Sequence, residues 1–115
     1  MKMQHVTIQT NRFEEEIKFY QEVVGLAIQG DMRPDMDIVF LANAEDETCV
    51  EVINNPEAET SGSNNFSIGF HTEDVVKLRG ELSAKGYEVT PLLCPAPGVQ
   101  FFFVKDPAGV QIQFV

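Results

Sequence analysis

The sequence predicts an α+β fold of two βαβββ modules, on three observations. Apolar and polar residues alternate in several short stretches, two longer stretches carry apolar residues at helical spacing and end at a glycine, and the whole order recurs after 62 residues.

The first alternation covers residues 4–10, where Val6 and Ile8 point one way and His5, Thr7 and Gln9 the other, as in a strand with one apolar face. Asn11 then offers an N-cap with Glu14 three residues on, and Phe13, Ile17, Tyr20 and Val24 follow at helical spacing until Gly25 stops the helix. Glu14, Glu15 and Glu16 fall in the first turn, where the helix dipole favours negative charge, and read as a solvated face. Strands are expected at 26–32, 37–43 and 48–53, separated by the turn-like Arg33-Pro34-Asp35 and Ala44-Glu45-Asp46-Glu47. Residues 54–65 contain no large apolar side chain and read as a linker.

The order then repeats. A strand is expected at 66–72 and a helix at 74–85, with Val75, Leu78 and Leu82 on one face, Gly80 weakening its interior and Gly86 as its stop. Strands follow at 87–94, 99–105 and 110–115, broken by Pro95-Ala96-Pro97-Gly98 and Asp106-Pro107-Ala108-Gly109. The 115 residues therefore read as one domain, 1–115, made of module one (1–53), the linker (54–65) and module two (66–115). Neither module buries both faces of its sheet alone, so the pair is expected to form a curved mixed sheet around a shared cleft.

Eight Lys and Arg stand against 18 Asp and Glu, a formal net charge of −10. Binding to phosphate backbones is driven by clustered basic residues, so nucleic acid and anionic membranes are excluded as partners. There is no run of 18 apolar residues and no apolar signal-peptide core at the N-terminus, which predicts a cytoplasmic protein. Cys49 and Cys94 sit in apolar runs without C-x-x-C spacing and are expected as two buried free thiols.

Superposing the halves at the offset of 62 places Val6 and Ile8 on Ile68 and Phe70, Phe40 and Leu41 on Phe102 and Phe103, and Val50 and Val52 on Ile112 and Phe114. It also aligns polar mid-strand residues: His5 falls on Ser67 and Glu51 on Gln113. Alternation turns these four away from the helices, toward the inside of the cleft. His71 shares the face of Ser67, further along the strand by two periods of the pleat. In Phe101-Phe102-Phe103 the middle ring faces opposite to its neighbours, one side packing under helices and the other facing the cleft or a partner, and Phe101 and Phe103 are candidates for the cleft wall.

The stretch His5-Val6-x-Ile8, a helix ending Phe19-Tyr20-x-x-x-x-Gly25-Leu26, and Phe103-x-x-Asp106-Pro107-x-Gly109-x-x-Ile112 together resemble the vicinal oxygen chelate superfamily over essentially the whole chain. That superfamily includes glyoxalase I, the fosfomycin and bleomycin resistance proteins and the extradiol dioxygenases. The resemblance implies the glyoxalase/bleomycin resistance fold, a divalent metal such as Zn, Ni, Mn or Fe, and a homodimer. Carried over by position, the metal ligands are His5, Glu51, Ser67 and Gln113, where the metal enzymes usually have His third and Glu fourth. A serine hydroxyl is a poor ligand and a carboxamide adds no charge, so the implied metal set reduces to His5, Glu51 and Gln113.

Glu51 is the candidate catalytic base of a lactoylglutathione lyase type reaction, and Ser67, His71, Phe101 and Phe103 are candidates for ligand binding. Three readings stay open: a metal-dependent lyase or isomerase, a metal-free drug-binding protein of bleomycin-resistance type, and a dimeric scaffold whose cleft has lost its ligand. An acidic protein with an aromatic-walled groove suits cationic molecules. No motif in the sequence names a substrate.

Overall fold

The computed structural model describes residues 1–59 and 65–115. The chain divides into two compact units, Met1–Thr60 and Ser61–Val115. The first contains β1 (His5–Thr10), α1 (Phe13–Phe19), β2 (Ala27–Asp31), β3 (Ile38–Ala42) and β4 (Cys49–Asn54). The second contains β5 (Ser67–Phe70), α2 (Val75–Ala84), β6 (Leu93–Ala96), β7 (Val99–Lys105) and β8 (Gln111–Phe114). The βαβββ order expected from the sequence is thus present twice. Each unit forms its own four-stranded mixed sheet, ordered β1-β4-β3-β2 and β5-β8-β7-β6. Its first and last strands are parallel neighbours and its hairpins are antiparallel. The linker expected at 54–65 starts at the last residue of β4, and its residues 60–64 lie outside the described residues.

In the first unit the buried face of the sheet carries Ile8, Val39, Leu41, Val50 and Val52, and α1 packs against β4. Phe13, Ile17 and Tyr20 of the helical stretch are buried, as the 3.6 spacing requires. Glu16 corrects the reading of the acidic run as solvated: it lies on the same helix face, between Phe13 and Tyr20, and is fully buried, whereas Glu14 and Glu15 are exposed. The N-cap also moves. Arg12 takes that position with no side-chain cap, and Thr10, whose hydroxyl is buried at the end of β1, accepts the Arg12 amide at 3.0 Å, so Asn11 stays outside.

After Phe19 the helix widens into one π turn, Tyr20–Val24. The Tyr20 carbonyl accepts the amide of Gly25 and, at 2.9 Å, that of Leu26, and Gly25 adopts φ 84 to turn the chain back toward β2. In α2 the expected boundary holds closely: Asp74 is the N-cap, and its carboxylate accepts the Lys77 amide at 3.0 Å.

The strand expected at 87–94 forms only at Leu93–Ala96. Thr90 still bonds β7, donating its amide to the Phe103 carbonyl at 3.0 Å and accepting the Phe103 amide on its hydroxyl at 2.9 Å. Pro91 follows without an N–H and interrupts the ladder. Pro97-Gly98 closes the β6–β7 hairpin, with Gly98 at φ 77 where a type II turn needs it. Cys49 is half-buried and Cys94, on the edge strand β6, is exposed, so the expectation of two buried thiols fails. Cys49 alternates with the core residues of β4, and β6, at the sheet edge, is exposed throughout.

The repeat itself needs one correction. In register, Val39 pairs Val52 and Phe40 pairs Glu51, while Phe102 pairs Phe114 and Phe103 pairs Gln113. With Glu51 on Gln113 at 62, Phe40 therefore corresponds to Phe103, at 63, and not to Phe102. The connection 43–48 is one residue longer than 106–110, and a one-residue slip exchanges the two faces of a strand.

Candidate functional site

On the face of the first sheet opposite the core, one rung of residues crosses all four strands. Thr7 on β1 pairs Glu51 on β4, Glu51 pairs Phe40 on β3, and Phe40 pairs Gly30 on β2. The Thr7 hydroxyl donates to Glu51 Oε1 at 2.5 Å, and His5 Nε2 lies 3.4 Å from the same oxygen. The Glu51 side chain is only 14% exposed and that of His5 41%, so the carboxylate sits low in the face and the imidazole stands at its rim. The Phe40 ring meets His5 edge-on at 6.1 Å. It lies across Gly30, where a Cβ would come within 3.2 Å of the ring.

Sequence reasoning found His5 and Glu51 and missed Thr7 and Phe40. Thr7 is legible as a polar residue on the same strand face. Phe40 was hidden by the slipped alignment, which set it against the core residue Phe102.

The second unit has the corresponding rung Gly69, Gln113, Phe103. Where Thr7 bonds Glu51, Gly69 offers no side chain, and a Cβ there would stand 3.3 Å from Gln113 Oε1. Gln113 thus reaches over bare backbone. Ser67 pairs Gln111 and stands diagonal to Gln113, as His5 does to Glu51. Phe101 and Phe103 are half-buried on the same face and meet in a T-shaped contact at 5.6 Å. His71 is not gathered with them. It lies beyond the end of β5, exposed, on a separate depression with Thr72, Asp74 and Gln100.

A larger depression of about 410 Å³ opens beside Phe103, walled by Tyr87, Val89 and Thr90 and floored by Phe103, Lys105 and Gln111. Of its lining the sequence singled out only Phe103, because 87–90 carries no motif and reads as plain strand and Lys105 and Gln111 match no candidate position.

Whether these groups suit a divalent metal is decided by donor chemistry. Two donors on one tetrahedral ion stand about 3.4 Å apart at bond lengths near 2.1 Å, so the His5–Glu51 spacing is that of a ligand pair. A pair is too few. Among the described residues no group of three or more His, Cys, Asp or Glu could hold an ion, and Ser67 and Gln113 add only neutral oxygens. The donor set does not fit a tightly held resident metal.

The charge is unevenly divided. Residues 1–60 carry four basic and 13 acidic side chains, and residues 61–115 carry four and five, so −9 of the −10 belongs to the first unit.

The profile of the Glyoxalase/Bleomycin resistance protein/Dioxygenase superfamily matches residues 2–114. The chain belongs to that superfamily. Its fold resembles the trypanothione-dependent glyoxalase I of Leishmania major, with a TM-score of 0.80, 24% identity, and coverage of 100% of this chain and 86% of that one. A possible glyoxalase from Bacillus cereus gives 0.77 at 21% identity, covering 100% and 98%. TnmS3, an antibiotic binding protein from Streptomyces sp. CB03234, gives 0.75 at 20% identity, covering 99% and 93%. No curated protein sequence matches significantly. At these identities the structural likeness to superfamily members is one of fold. Among the described residues no helix is long and apolar enough to cross a membrane.

Proposed function

We propose that the protein binds a small organic molecule on the open faces of its sheets, without a resident metal ion, and that Glu51 holds a protonated or hydroxyl group of that ligand. The observation that supports this most is the Thr7–Glu51 contact. With Oε1 engaged by Thr7 and adjoined by His5, the carboxylate is anchored and Oε2 is the oxygen offered to a donor. Phe40 beside it supplies an aromatic wall, and the −9 of the first unit favours a cation. In the second unit Ser67, Phe101 and Phe103 are the candidate ligand contacts, and His71, on its own depression, is a separate candidate. Exposed apolar side chains, Ile28, Met32 and Met36 among them, support a homodimer, and the two free thiols suit a reducing cytoplasm.

The His5–Glu51 spacing favours one other reading, a lyase of lactoylglutathione lyase type in which His5, Glu51 and Gln113 bind a divalent ion and Glu51 serves as the base. Calorimetry separates the two, using bleomycin A2 as a cationic aromatic probe and, independently, Zn²⁺, Ni²⁺ and Mn²⁺. The binding reading expects the drug to be held one per chain, about tenfold more weakly by Glu51→Gln, with no turnover of the methylglyoxal–glutathione adduct. Stoichiometric metal lost in His5→Ala, with turnover lost in Glu51→Gln, would establish the lyase instead.

A further inference from the structure

The depression lined by residues of the second unit differs in chemistry from the Glu51 rung. Its volume, about 410 Å³, falls in the range of small-molecule pockets, and most of its wall is apolar. Lys105 and Gln111 are cross-strand partners, and both line the depression together with Phe103. Neither side chain forms a hydrogen bond or an ion pair with the described residues. Glu88 also borders the depression, exposed and with no ion pair to Lys105.

The wall facing them is held in place. The Arg79 Nε–H donates to the Thr90 carbonyl at 2.7 Å, and the Thr90 hydroxyl accepts the Phe103 amide, so the 87–90 segment is tied to both α2 and β7. A pinned wall keeps the pocket formed before a ligand arrives, which lowers the ordering cost of binding.

From these groups we infer that the depression binds a small aromatic carboxylate, its ring against Phe103 and Val89 and its carboxylate on Lys105 and Gln111. Two adjacent donors on the floor match the two oxygens of one carboxylate. The near balance of charge in residues 61–115 leaves an anion little local repulsion there, which the first unit does not offer.

The test compares 2-naphthoate, 2-naphthylmethanol and 2-naphthylmethylamine by amide-resolved NMR titration of the full chain. Naphthoate is expected to shift the resonances of Thr90, Phe103, Lys105 and Gln111 and to bind about tenfold more tightly than the alcohol, with the amine weakest. Lys105→Met should abolish that preference and Lys105→Arg should keep it. Both change an exposed side chain, so folding is not at risk. Equal binding of the three probes, an unchanged preference in Lys105→Met, or shifts confined to the His5–Glu51 rung would overturn the assignment. Because Lys105→Met should leave bleomycin A2 binding, and its weakening by Glu51→Gln, unaltered, failure of the Glu51 reading and failure of this one are separately visible.

Discussion

Thr7 and Glu51 stand opposite each other in the parallel β1–β4 ladder, and the Thr7 hydroxyl holds one carboxylate oxygen at 2.5 Å on the face away from the core. In the second unit the same two positions are Gly69 and Gln113, which removes both the donor and the charge. The two sheets share a register and differ in what that register presents.

If Thr7 anchors Glu51, Thr7→Val should cost about 1–2 kcal/mol in urea unfolding, because a charge-assisted hydrogen bond is lost at a mostly buried carboxylate. Thr7→Ser should recover most of it. Equal stability of the valine and serine variants would show that the contact contributes nothing.

The corrected register is tested in β7. Phe102 is fully buried, so Phe102→Ala should destabilise by about 3–4 kcal/mol through lost burial and a cavity. Phe103, half-buried on the opposite face, should cost less than half as much when truncated, about 1 kcal/mol. Similar losses at both positions would contradict the assigned faces.

Two glycines should respond with opposite signs. Gly25 sits at φ 84 with open space where a Cβ would be, so Gly25→Ala should cost about 1 kcal/mol from backbone strain alone. Gly80 lies inside α2 with equally open surroundings and no positive φ, so Gly80→Ala should stabilise by about 0.5–1 kcal/mol. Thermal unfolding midpoints moving in the same direction would count against this.

A pH effect is expected at Asp31. The Arg33 guanidinium donates to its carboxylate through Nε at 2.8 Å and Nη2 at 2.6 Å, and the Arg33 amide adds a third bond at 3.0 Å. These bonds lower the Asp31 pKa from 3.8 to about 2. A lowered folded-state value means that the contribution is present above pH 3.8 and disappears as pH falls through about 2. Carboxyl-detected NMR should place the Asp31 midpoint near 2, and Arg33→Met should return it toward 3.8. A midpoint near 3.8 in the unaltered protein would rule out the paired geometry in solution.

The order of elements and most of the core were legible because they rest on local periodicity. Val6 and Ile8, Val50 and Val52, Ile112 and Phe114 alternate in phase with the pleat, and Asp74 and Gly86 mark the limits of α2 through capping chemistry that acts within a few residues. His5 and Glu51 were legible as polar residues at matching positions of a repeat. Three things were not. The pairing of Phe40 with Phe103 depends on hairpin register, which a one-residue difference in connection length changes without altering the composition of either strand. The burial of Glu16 depends on which helix face meets β4, and a run of three glutamates cannot show that. The depression beside Lys105 is lined by a segment that Thr90 and Arg79 tie to β7 and α2, and Pro91 separates that segment from β6. Local sequence therefore determined the order of the elements, the limits of α2 and the two-fold repeat of this protein, but not the N-cap of α1 or the bounds of β6. Tertiary structure alone decided which rungs align and where a wall stands away from the sheet, because those follow from hydrogen bonds between residues far apart in the chain.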